Sequence, residues 1–138
     1  MIHYYKIALH FANEYQYIPF MNSLGRDLLI NKEYNDALNI FLRIDIQEMK
    51  RSKIYPNIVA NLAHAYLLTG NEKKAEEIYY DSNSYGIDSE SWEKLLEDDL
   101  KYFESMGIDC KKISNVIKKI KRKRKIKQVG NFIKSNLD

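Results

Sequence analysis

Three histidines, one cysteine and a run of three acidic residues are the side chains in this 138-residue sequence best suited to catalysis or metal binding. His3 and His10 lie seven residues apart and could share a helical face, and Glu14 follows His10 by about one turn. A metal site needs three or four converging ligands, and no third is in place, so His3, His10 and His64 read as structural or surface residues. Cys110 precedes two lysines at a helix start, which in principle lowers a thiol pKa, but it has no histidine partner in sequence. Glu97, Asp98 and Asp99 are consecutive, so on a helix they point in three directions. At most Asp98 joins Lys94 or Lys101 on a solvated face. The serines form no nucleophile elbow and the five glycines no phosphate-cradling loop. The expectation is a protein that is not an enzyme and carries no cofactor or metal.

The remaining chemistry is charge. Residues 1–110 carry 11 Lys/Arg against 18 Asp/Glu, whereas residues 111–138 carry 11 against one, so a formal net charge of +3 conceals an acidic body and a basic tail. Lys118, Lys119, Lys121, Arg122, Lys123, Arg124, Lys125 and Lys127 crowd ten positions. Such a run could neutralise several phosphates at once. It lacks the interleaved aromatics that stack bases. The segment before it, residues 89–105, is acidic through Glu90, Glu93, Glu97, Asp98, Asp99 and Glu104. An antiparallel hairpin would therefore pair part of the basic charge internally, and polyanion binding stands as the alternative reading.

An apolar share of 45% with 30% charged residues is that of a globular chain. No apolar run approaches the ~18–20 residues of a membrane span, and the N-terminus has no secretory-signal pattern. A lone cysteine fits a reducing, cytoplasmic setting.

The periodicity is helical throughout. Ile2, Tyr5, Leu9 and Ala12 trace a first helix over 2–16, and Pro19 fits the first turn of the next. From Asn57 to Tyr80, Val59, Leu62, Ala63 and Tyr66 share one face, Thr69-Gly70-Asn71 makes a turn, and Ala75, Ile78 and Tyr79 restart the period. Met21 to Phe41 repeats this at an offset of 38 residues: Leu24-Gly25 matches Leu62-Ala63, Leu28 matches Tyr66, Ala37 matches Ala75 and Phe41 matches Tyr79. Lys32 stands at the turn glycine's position, with Asn31 beside it able to turn left-handed. The surplus length falls in residues 47–55, and 81–88 reads as a loop. Asp88 or Ser89 caps a helix whose buried face is Trp92, Leu95, Leu96 and Phe103. Gly107 stops that helix and Asp109 caps the next. Ile113, Val116, Ile117 and Ile120 form one stripe there. Ile126, Val129 and Ile133 form another about 240° away, so this helix either breaks near 122–125 or packs against something different beyond it.

In its spacing of small and large residues the 57–80 stretch resembles a tetratricopeptide repeat, with Val59 in place of the family's Trp and no closing proline near Ile87. The resemblance implies an all-α fold of about seven helices, its antiparallel hairpins stacked as a short right-handed α-solenoid. Repeats would span about 18–51 and 56–89, and a divergent hairpin 89–122 would close a domain of residues 1–122. A basic tail would follow over 123–138. It further implies protein–protein interaction, with a peptide or partner helix held in a concave groove. Asn22, Arg26, Asn61, His64 and Leu68 would line that groove over Ala60, with Asn22, Arg26 and Asn61 resembling part of a carboxylate clamp. Two repeats make a shallow groove, so self-association is a further expectation.

Overall fold

The structure, a computed structural model, describes residues 17–137, and the helix expected over 2–16, with His3 and His10, lies outside them. The described residues form an all-α fold of six α-helices. These are α1 (Ile18–Ile30), α2 (Tyr34–Arg43), α3 (Tyr55–Leu68), α4 (Glu72–Tyr79), α5 (Ser89–Ser105) and α6 (Lys111–Leu137). Short 3₁₀ turns at Ile46–Met49 and Ser82–Tyr85 lie at the connection that holds the surplus length and in the segment read as a loop.

The helices pack first with their neighbours in sequence: α1 with α2, α2 with α3, α3 with α4, and α5 with α6. α3 is the hub and also touches α1, α5 and α6. Its sequence explains the position. Ile58, Val59, Ala60, Leu62, Ala63, Ala65 and Leu67 are all buried, so α3 is apolar nearly all round, as a central helix must be. α2 and α4 are short and strongly amphipathic, each burying one face through Ala37, Ile40 and Phe41 or Ala75, Ile78 and Tyr79.

The two hairpins share their close contacts and their turn. A methyl group on Gly25 would lie 2.5 Å from Phe41 Cζ, so the ring occupies the space that a side chain at 25 would need. Ala63 and Ala75, the small residues of the second hairpin, are fully buried. Lys32 N–H donates to Leu29 O and Glu33 N–H to Leu28 O; 38 residues later Gly70 N–H donates to Leu67 O and Asn71 N–H to Tyr66 O. Both are the paired bonds that end a helix on a left-handed residue. At the first turn that residue is Lys32 itself, at φ 63°, and not Asn31, whose φ is −81°. The two bonds require the left-handed residue one position beyond Asn31, and that position is 32.

Asp88 caps α5, its Oδ1 accepting from Ser91 N–H at 2.9 Å, and Asp109 Oδ1 accepts from Lys111 N–H at the start of α6. α6 runs unbroken for 27 residues, so the domain boundary expected between 122 and 123 falls inside a helix. Ile113, Val116 and Ile117 anchor its first half in the core.

Candidate functional site

Four of the five residues expected to line a groove do meet, but around a carboxylate of the same chain. Asn22 and Arg26 are one turn apart on α1; Asn61 and His64 are nearly one turn apart on α3. Packing of α1 on α3 brings the two pairs together. Arg26 Nη1 donates to Asn61 Oδ1 at 2.9 Å, and Asn61 Nδ2 donates to Asn22 Oδ1 at 2.9 Å. Asp99 then enters from α5. Arg26 Nη2 donates to Asp99 Oδ1 at 3.0 Å, and His64 Nε2 lies 2.9 Å from Asp99 Oδ2. The carboxylate only accepts, so Nε2 carries the proton. His64 Nδ1 lies 2.6 Å from Tyr79 Oη on α4.

The network thus links four helices. His64 and Asn61 are buried, Asp99 is nearly so, and the Arg26 side chain keeps about a quarter of its surface in solvent. The guanidinium carbon sits 4.9 Å from the centre of the Phe103 ring and 5.3 Å from that of Tyr102, and the Phe103 edge meets His64. Burial alone would raise the Asp99 carboxyl; the His64 hydrogen bond and charge, with the Arg26 guanidinium, outweigh it and hold the group below its ordinary value. Burial and the Asp99 charge push the Tyr79 hydroxyl well above 10. Tyr79, His64 and Asp99 are aligned like a proton relay, but His64 is wholly enclosed and Tyr79 almost so, which keeps substrate away. Their chemistry is that of a buried staple.

These positions correct the groove expectation in two ways. Asn61, His64 and Ala60 are interior rather than surface residues, and Leu68 packs partly buried against the core away from the network. Asp99 was read as one of three diverging carboxylates. Diverge they do: Glu97 meets Lys121, Asp98 meets Lys94 at 4.0 Å, and Asp99 alone turns inward. The period that placed Trp92, Leu96 and Phe103 inside also brings position 99 round to that face, one turn before Phe103. An acidic residue at a core position of the helical period was the available signal.

Cys110 is buried, and burial with the Glu104 and Asp109 charges pushes its thiol up to about 11, the reverse of the lowering that the following lysines suggested. Among the described residues no group of three or more His, Cys, Asp or Glu could hold a metal ion, and no helix is long and apolar enough to cross a membrane.

The basic run lies along α6, and the structure divides it. Lys119 faces Glu76 at 3.9 Å, Lys121 meets Glu97, Arg124 Nε stands 2.6 Å from Glu93 Oε2, and Lys123 Nζ lies 4.2 Å from the centre of the Tyr80 ring. Lys118, Arg122, Lys125 and Lys127 are exposed and enter no ion pair among the described residues. Past Arg124 the helix buries nothing, and Ile126, Val129, Phe132, Ile133 and Leu137 all stand in solvent.

No family model matches this chain, and no curated protein or solved structure matches it.

Proposed function

We propose that the protein is a protein-interaction module of tetratricopeptide-like build, and that the free end of α6 is the part that engages its partner. The 38-residue recurrence of small residue, large residue and turn bonds supports the repeat reading, and arrays of this kind serve as binding scaffolds. Arg26 and His64 have donors committed to Asp99, and Asn61 donates to Asn22, so an incoming peptide carboxylate would have to compete with Asp99 for them. The observation that carries the proposal is that five of the nine exposed large apolar residues among those described fall in the last three turns of one helix. Single exposed apolar residues are ordinary, whereas a contiguous set marks a contact surface. The lysines alongside it select an acidic partner with an apolar groove, in which a helix lays an i, i+3, i+7 stripe.

The test compares three forms of the chain: intact, truncated after Gln128, and Val129→Glu with Ile133→Glu. Chemical crosslinking followed by identification of the joined peptides should place the partner on residues 126–137, and both altered forms should lose it. Retention of the same partner by both would end the proposal. A concentration-dependent dimer abolished by the double substitution would identify the partner as a second copy.

A second reading, polyanion binding, rests on Lys118, Arg122, Lys125 and Lys127 being unpaired. It expects affinity for a nucleic-acid strand to fall with salt at a log–log slope of about three, near 0.7–0.9 per neutralised phosphate. A slope near zero would remove it.

A further inference from the structure

Three buried side-chain polar atoms lack a hydrogen-bond partner among the described residues: Tyr80 Oη, Glu93 Oε2 and Arg124 Nε. Glu93 and Arg124 attract each other at 2.6 Å, but neither atom lies in hydrogen-bond alignment with the other. Native interiors rarely leave such atoms unsatisfied. All three belong to residues that line one cavity of about 190 Å³, between α4, the Ser82–Tyr85 turn, α5 and α6. Trp92 and Tyr80 contribute aromatic wall, and Lys123 and Lys127 stand at the lining beside Arg124. A cavity of this volume has room for a compact organic anion.

We propose that this cavity is a binding site for a phosphate monoester. Three cations, Lys123, Arg124 and Lys127, face one carboxylate, Glu93, leaving two positive charges for a dianion to neutralise. The unsatisfied atoms specify the guest further. Tyr80 Oη is a donor with no hydrogen-bond partner among the described residues, and Arg124 Nε and Glu93 Oε2 hold each other only as an ion pair, without an aligned hydrogen bond. The oxygens of a phosphate monoester dianion supply the acceptors, and a neighbouring sugar hydroxyl supplies the donor. A simple carboxylate offers one charge and no donor. Ser89, at the first position of α5, lines the same cavity, and its hydroxyl makes no hydrogen bond among the described residues. The apolar residues of the α6 tip, Ile126, Val129 and Ile133, are not among its walls.

The experiment titrates the full chain with inorganic phosphate, ribose 5-phosphate and unphosphorylated ribose, followed by calorimetry and ³¹P NMR. Parallel titrations use a short oligonucleotide with and without a 5′-phosphate. Saturable one-to-one binding of both free phosphates, and none of ribose, is the expected result. Tyr80→Phe removes only the unsatisfied hydroxyl, so the fold should hold while phosphate affinity falls about tenfold. Lys127→Gln, an exposed position, should weaken binding by a similar factor, and Lys118→Gln, on the same helix but outside the cavity, should leave it unchanged. No binding of either free phosphate at about 10 mM would overturn the proposal. So would equal losses in Lys118→Gln and Lys127→Gln, which would mark diffuse attraction, or binding of the oligonucleotide alone.

Discussion

Asp99 is the residue on which the interior depends most unusually. It is a carboxylate in a core position, and it holds its charge because Arg26 and His64 hold it. Its folded-state pKa is depressed, so its contribution is complete above the unfolded carboxylate value, about 3.9, and is lost as pH falls through the lower folded value. Asp99→Asn should therefore cost about 2–3 kcal/mol at neutral pH. The gap from the parent, read from urea midpoints, should narrow progressively once the pH drops below about 3.9. A gap constant from pH 7 to 2.5 would show that charge at position 99 is irrelevant. Sequence reading grouped Asn22, Arg26, Asn61 and His64 with Leu68 because the tetratricopeptide resemblance implies one groove-lining face on the first helix of each hairpin. It missed Asp99 as their partner because that residue comes from a third helix 35 residues beyond His64: the period of α5 marks position 99 as inward but not what it meets.

At the scale of elements, the hairpins were legible since each rests on local rules: small residues at close approach, a left-handed stop, a capping aspartate before α5. The turn at 32 shows where the local rule is strained. A lysine at φ 63° pays a steric cost that glycine avoids. Lys32→Gly should raise stability by about 1 kcal/mol, a gain of a few degrees in Tm by calorimetry. An unchanged or lower Tm would mean that the lysine side chain compensates. Gly25 works in the opposite sense. Gly25→Ala places a methyl group into the Phe41 ring and should lower stability by about 1–3 kcal/mol. α6 was half legible. The phase shift between its stripes announced a change of environment, but the carboxylates its basic residues meet, Glu76, Glu93 and Glu97, belong to other helices and leave no mark on its local period.

For the whole molecule, the anchored and free halves of α6 should separate cleanly in thermal melts. Truncation after Lys127 removes no buried residue among those described and should leave Tm within about 1–2 °C, while Ile117→Ala, which empties a core position, should cost about 2–4 kcal/mol. A large drop on truncation would show that the tip packs on the body. The same division has a mechanical consequence. From the pairing at Arg124 to Leu137 the helix extends about 20 Å, at 1.5 Å per residue, as a stiff rod clamped at one end. A tilt of about 10° at that clamp would swing the tip through roughly 3–4 Å, close to the width of one side chain on a docking face. Neutralising Glu93 or filling the cavity beside it would therefore displace the exposed apolar tip through leverage, with no rearrangement of the core.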